Sequence, residues 1–221
     1  MNKKQIEVFF KTIRAFNYAE VKSLVESDSE YLTVCRSAPP KKDDGQSGLQ
    51  VAFKVGTFDI AEYLIDKGAN VNFIEESEIN EWRAPVLHDC IRAAFYQMNI
   101  MKKDLDRFEK AFLLLKLMLA KGADPNATDS YGNSCLIWAF LDAHQFIDHP
   151  AATPRTVERS RQIFRELIRA GADINYSNDK RESIHYFIAN YKYEKYKLLD
   201  FEGLPEFNTE SKPKSFWKRL F

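Results

Sequence analysis

The 221-residue sequence predicts an all-α fold built from repeated pairs of helices. Three stretches end alike, each with an amphipathic run, then Gly-Ala-Asn or Gly-Ala-Asp, one further residue and Asn: residues 60–72, 113–126 and 163–175. A second, shorter run of apolar residues at helical spacing precedes each of them. Such self-similarity is typical of repeat proteins, in which every unit buries its apolar face against the next. With 45% hydrophobic residues, the chain can bury a sizeable core.

The longer runs are predicted to be helices that stop at a glycine. Their apolar residues lie three and four positions apart and form one helix face. Gly68, Gly122 and Gly171 follow these runs, and glycine can take the left-handed conformation that terminates a helix. The Asn or Asp two residues later can hydrogen-bond to its own backbone and shape a turn.

The shorter runs are predicted to be the first helix of each unit. They begin near Ser or Pro and carry apolar residues at helical spacing: 47–56, 85–95, 134–144 and 182–191. Each unit is then a short helix, a turn, a longer helix, a glycine stop and an extended loop. The N-terminal segment 9–25 fits the same plan, with Asn17 at the turn between two helices.

This pattern resembles the ankyrin repeat, whose first helix carries T-P-L-H-x-A and whose second helix ends in G-A-D/N-x-N. Gln50 stands at the position of the family's His and lies 18 residues before Gly68, which is the family's spacing. The resemblance implies an ankyrin-repeat solenoid over residues 1–204, followed by a basic aromatic tail at 205–221. Its five repeats would span 5–40, 41–74, 80–126, 129–175 and 179–201.

Three departures from the family pattern mark where this chain differs from a regular array. Two repeats carry 16 extra residues between their helices, and the loop from Gly68 to His88 spans 20 residues instead of 15. Residues 96–112 are expected to lengthen the helices of the third repeat. Residues 145–155 are expected to form a loop that ends at a helix capped by Thr153 or Thr156.

Charge and cysteine usage indicate the setting in which the protein works. Lys plus Arg equals Asp plus Glu at 32 each, so we expect no nucleic-acid partner. No apolar stretch is long enough for a membrane span, and charged residues interrupt the N-terminal segment, which argues against a signal peptide. Three scattered cysteines fit a reducing compartment. We therefore expect a cytoplasmic protein that is monomeric on its own.

The sequence predicts no enzyme, no cofactor and no metal site. Motifs of nucleophilic, phosphate-binding or zinc-dependent chemistry are missing from it. His88 and His185 stand at the His position of the repeat, where a structural role is expected. His144 and His149 lack further ligands at metal-binding spacing. Cys135 begins a helix, an address that lowers a thiol pKa, but no partner base is identifiable.

The long loop before His88 is the first candidate for a binding surface. Trp82 and Arg83 have the composition of an interface anchor, although Trp82 can instead fold back over the inserted helices. Nothing in this loop is expected to be required to close the core. The carboxylates at Glu75, Glu76, Glu78 and Glu81 form either a solvated loop face or a docking surface for a basic partner.

The resemblance adds positions from other repeats to this surface. It places Tyr131 at a loop tip and both Arg92 and Asp142 at exposed ends of first helices, while Trp138 belongs to the packed side. The predicted partner-binding residues are therefore Glu78, Trp82, Arg83, Arg92, Tyr131 and Asp142.

The expected function is non-enzymatic binding of a protein partner of unknown identity through the concave face of the solenoid. Such a protein would inhibit or scaffold its partner, as a bacterial or phage immunity or inhibitor protein does. One alternative is an enzyme with an unrecognised site in the inserted helices. Another is an adaptor whose tail, residues 205–221, binds a membrane or an acidic partner; the same tail can instead cap the last repeat.

Overall fold

The computed structural model describes residues 1–36, 43–98 and 105–199, and this part of the chain contains nine α-helices and no β-strand. The all-α prediction is therefore confirmed. The helices are α1 (Lys3–Arg14), α2 (Tyr18–Ser27), α3 (Gly48–Val55), α4 (Phe58–Asp66), α5 (Val86–Tyr96), α6 (Leu105–Ala120), α7 (Cys135–Ile147), α8 (Pro154–Arg169) and α9 (Ile184–Asn190). Short 3₁₀ turns lie at Ser29–Leu32 and Glu194–Tyr196.

The helices pack in two rows. Each odd-numbered helix contacts the next odd-numbered one, from α1 to α9, and α2, α4, α6 and α8 contact one another in the same order. Within a unit the two helices also pack together, as α1 does with α2 and α3 with α4. The core fills the space between the rows, and its largest fully buried side chains include Phe9, Phe95, Phe108, Phe140 and Phe164.

The predicted glycine stops are confirmed. Gly68, Gly122 and Gly171 have φ angles of +94°, +87° and +97°, which is the left-handed region. The turn residues behave as expected too, because Asn70, Asp124 and Asp173 each accept a hydrogen bond from the backbone N–H two residues on, at 2.8–2.9 Å. In the first unit Asn17 lies at the turn between α1 and α2, as predicted, and caps α2, while Phe16 (φ +60°) is the left-handed residue of that turn.

The last Asn of the repeated ending joins one unit to the next. The Asn72 side chain donates to the carbonyl of Gly122 at 2.9 Å and accepts from the Asp124 N–H at 2.7 Å. Asn126 makes the same two bonds, to the Gly171 carbonyl at 2.9 Å and from the Asp173 N–H at 2.7 Å. This repeated pair of bonds aligns successive units and satisfies backbone groups at the helix ends.

The loops that precede α3, α5, α7 and α9, which we call the finger loops, also connect to one another. The first three each close with an isolated antiparallel bridge: Cys35 with Ser47, Ile74 with Pro85, and Thr128 with Ser134. Between loops, the Glu76 N–H donates to the Gly45 carbonyl at 3.0 Å and the Ser130 N–H to the Arg83 carbonyl at 2.9 Å. The finger loops therefore form one hydrogen-bonded edge beside the odd-numbered helices.

The two insertions differ in how far they follow the predictions. The expected loop at 145–155 is shorter, because α7 continues to Ile147 and α8 begins at Pro154. The Thr153 N–H donates to Thr156 Oγ1 at 3.1 Å, so both threonines act at the start of α8. In the first insertion α5 reaches Tyr96 and α6 starts at Leu105, while residues 99–104 lie outside the described residues. The predicted tail at 205–221 lies outside them as well.

Candidate protein-binding surface

The second finger loop, residues 69–85, is held in place by its own backbone and by its neighbours. The Glu75 N–H donates to the Ala84 carbonyl at 3.1 Å, which pairs the two sides of the loop. At its tip, Ser77 Oγ accepts from the Ile79 N–H at 3.1 Å and donates to Asp44 in the first finger loop at 2.7 Å. The loop therefore presents its side chains from an ordered backbone.

Trp82 packs against the next unit. Its ring stacks on Trp138 with a centroid distance of 5.3 Å, and its Nε1–H donates to Asp129 Oδ2 at 3.1 Å. Asp129 is itself fixed, because it accepts from Asn133 Nδ2 at 2.8 Å and from the Tyr131 N–H at 2.9 Å. Trp82 thus folds back on α7 and the third finger loop, where it stays partly exposed. Trp82 packs against the hydrophobic core, so the loop that was expected not to be required for core closure contributes to core packing.

Arg92 lies beside the two tryptophans. Its guanidinium carbon is 4.3 Å from the ring centroid of Trp138 and 5.8 Å from that of Trp82, both within cation–π range. Its Nε is 3.6 Å from Asp142 Oδ1, and its side chain is 36% exposed. We call Trp82, Arg92, Asp129, Trp138 and Asp142 the Trp–Arg cluster.

Asp142 is only 2% exposed, so the prediction that it lies at an exposed helix end is wrong. The reason is that α7 runs five residues further, to Ile147, which places Asp142 inside the packed helix with Arg92 of α5 alongside. Burial raises the pKa of Asp142 to about 6, while the Arg92 guanidinium works in the opposite direction. Asp142 therefore orients Arg92 and does not itself face solvent.

The remaining predicted residues are exposed. Tyr131 is 44% exposed at the tip of the third finger loop, and Glu78 and Arg83 are exposed on the second. The structure thus places Arg92 beside both Trp82 and Asp142. The three exposed residues lie on the finger loops nearby.

The predicted acidic cluster is divided between surface and interior. Glu76, Glu78 and Glu81 are exposed, but Glu75 is 6% exposed. Glu75 turns inward, where it accepts hydrogen bonds from the Ala84 N–H at 3.0 Å and from Gln46 Nε2.

A buried polar network under the finger loops was missed by the sequence reasoning. Asp89 is 7% exposed and accepts from Gln50 Nε2 at 2.9 Å. Burial, and secondarily the negative charge of Glu75, raise the pKa of Asp89 to about 7. The sequence did carry a signal of this network, because Asp89 lies inside the apolar run that forms α5. A buried carboxylate at such a position needs a hydrogen-bond partner from another element.

His88 and Trp138 belong to the packed side, as expected for Trp138. Trp138 is 8% exposed, and its ring stacks on His88 at 5.2 Å. Burial lowers the pKa of His88 to about 4, so this imidazole is neutral at pH 7.

Cys135 departs from expectation, because burial raises its thiol pKa although it stands at a helix start.

His144 and His149 each contact a nearby polar group. His144 Nδ1 lies 2.9 Å from the Tyr193 hydroxyl, and His149 Nδ1 accepts from the Ala151 N–H at 3.1 Å. Over residues 1–36, 43–98 and 105–199, no three His, Cys, Asp or Glu side chains come together in a way that would hold a metal ion. Within the same residues, no helix has the length and apolarity needed to cross a membrane.

Neither a scan against protein-family models nor a search of curated proteins finds a match to this chain.

Proposed function

We propose that this protein is a non-enzymatic, ankyrin-type repeat module that binds a protein partner through its finger loops and the adjoining ends of the odd-numbered helices. The observation that carries the proposal is the Trp–Arg cluster. Tryptophan and arginine dominate the energetics of protein interfaces when they are well packed and centrally placed. Here both are held in fixed positions and both remain partly exposed.

The ankyrin assignment is supported by features that recur from unit to unit. The repeated Gly-Ala-Asp/Asn ending coincides with a left-handed glycine, and the Asn after it bonds to the next unit. Two rows of helices with finger loops along one edge are the arrangement that this family would produce.

Rigidity supports the binding role. Finger loops that are hydrogen-bonded to one another lose little conformational freedom when a partner docks, so less free energy is spent on ordering them. Around the cluster, Glu78, Arg83 and Tyr131 supply exposed charged and aromatic groups of the kind found at an interface rim. A stable, specific complex formed on this face would inhibit its partner or hold it in an assembly.

The test measures affinity for the partner captured from the source organism and then purified. Trp82→Ala should raise the dissociation constant roughly thirtyfold, equivalent to a loss of about 2 kcal/mol in binding free energy. Tyr96→Ala is the matched control, since Tyr96 is 54% exposed but lies at the end of α5 away from the finger loops. Equal affinities of wild type and Trp82→Ala, with a loss in Tyr96→Ala, would contradict the proposed surface.

A further inference from the structure

We propose that Arg92 is the residue that receives a carboxylate of the partner, so that the partner's recognised element carries an Asp or Glu side chain at the centre of the interface. This inference rests on the proposed function and specifies the chemistry of the partner.

The Arg92 guanidinium is held in one orientation by its neighbours. The Arg92 guanidinium lies over two tryptophan rings, at 4.3 Å and 5.8 Å, and its Nε edge faces Asp142. The rings are fixed in turn, because Trp82 donates to Asp129 and Trp138 stacks on His88. A guanidinium clamped in this way has lost most of its rotamer freedom before any partner arrives.

Part of the Arg92 side chain remains available to a partner. Arg92 Nε is buried, whereas the side chain as a whole is 36% exposed, so its exposed part lies outside the Nε–H group. In the described part of the chain, Asp142 is the acidic group that contacts Arg92, and it does so on the Nε side. Two parallel N–H groups on the opposite edge suit the two oxygens of a carboxylate.

The acidic groups of the Trp–Arg cluster are out of a partner's reach. Asp142 is 2% exposed, and both oxygens of Asp129 accept hydrogen bonds within the chain. An incoming cation therefore finds no open carboxylate in the cluster, and the reachable charge is positive.

The exposed carboxylates on the second finger loop narrow the choice further. Glu78 and Glu81 repel an element with several negative charges, and they repel a doubly charged phosphate more than a single carboxylate. The expected element therefore carries one carboxylate among neutral or basic residues.

The experiment uses two capped peptides, acetyl-Gly-Glu-Gly-amide and acetyl-Gly-Gln-Gly-amide, titrated into the full chain. Nuclear magnetic resonance signals of Arg92 Nε–H and of the Trp82 and Trp138 indole N–H groups report binding. We expect saturable shifts with the Glu peptide at millimolar concentrations and at least tenfold weaker binding of the Gln peptide. Inorganic phosphate should shift the same signals less than the Glu peptide does.

Variants separate this contact from general charge attraction. Arg92→Gln should abolish the response, and Arg92→Lys, which keeps the charge but loses the fork, should weaken it severalfold. Arg159→Gln is the control, because Arg159 also lies over a ring, that of Phe108 at 4.1 Å, and pairs with Glu109, but does so on α8. It should leave the response unchanged.

Three outcomes would overturn the inference. Equal shifts with both peptides would show that the surface binds peptides without using a carboxylate, which leaves the proposed function standing. A response that survives in folded Arg92→Gln or Arg92→Lys at full strength would assign the contact to another residue. No saturable shift at the cluster with either peptide would show that Arg92 takes no carboxylate, and the affinity test with the purified partner then decides the proposed function independently.

Discussion

Replacing Trp82 with alanine should lower the free energy of unfolding by about 3 kcal/mol. The hydrogen bond from Nε1 to the Asp129 carboxylate is 3.1 Å long and contributes about 1.5 kcal/mol, since the acceptor is charged. Stacking on Trp138 adds about 1 kcal/mol, and the contact with the Arg92 guanidinium adds about 0.5 kcal/mol. For a chain of this length the midpoint temperature should fall by roughly 6–12 °C.

Two companion variants divide this loss into its parts. Trp82→Phe keeps an aromatic face but removes the donor to Asp129, so it should cost about half as much as Trp82→Ala. Arg83→Ala changes the neighbouring exposed side chain and should stay within about 0.5 kcal/mol of wild type.

Urea unfolding followed by both circular dichroism and tryptophan fluorescence is the assay, because stacked units can unfold in more than one step. A loss below about 1 kcal/mol in Trp82→Ala, or equal losses in Trp82→Ala and Arg83→Ala, would refute the packing that we describe for Trp82.

Three further predictions concern the scaffold. Burial raises the pKa of Asp89 to about 7, against an ordinary value near 4, so the contribution of the protonated carboxyl to stability is complete below pH 4 and is lost as pH rises through 7. The free energy of unfolding should therefore fall by roughly 2–3 kcal/mol between pH 5 and 8. In urea titrations, Asp89→Asn should flatten that change. Asn126→Ala should lower the free energy of unfolding by about 1–2 kcal/mol through loss of its two bonds to the next unit, whereas Asn175→Ala, at the last such ending, should cost under about 0.5 kcal/mol. Comparable losses would contradict the role of these bonds in joining successive units. Cys135 should resist alkylation by iodoacetamide at pH 8 in the native protein and react after denaturation, because burial raises its thiol pKa; rapid native labelling would contradict this.

Local sequence patterns were sufficient to predict the helices and the glycine stops of the longer ones. A glycine after an amphipathic run, followed by Asn or Asp two residues later, specifies a helix stop within a few residues of chain. The φ angles of Gly68, Gly122 and Gly171 agree with that prediction. Periodicity also located the first helices, and α3, α5, α7 and α9 all lie on the predicted runs.

Features that depend on partners distant in sequence were not predicted. Trp82 is fixed by Asp129, 47 residues away, so no pattern within its own loop shows that it folds onto the next unit. Asp142 was expected to be exposed because the repeat pattern has its first helix ending there, and only the longer α7 and the contact with Arg92 explain its burial. The inward turn of Glu75 likewise depends on Gln46 from the preceding finger loop.

Amide hydrogen exchange on the purified complex tests the central claim most directly, since it maps the partner's footprint along the whole chain. We predict slower exchange at residues 74–85 and 128–134 and at the starts of α5 and α7, with α2, α4, α6 and α8 unchanged. Protection confined to those four helices, with the finger loops exchanging as they do in the free protein, would contradict the claim that this protein binds its partner through the finger loops and the Trp–Arg cluster.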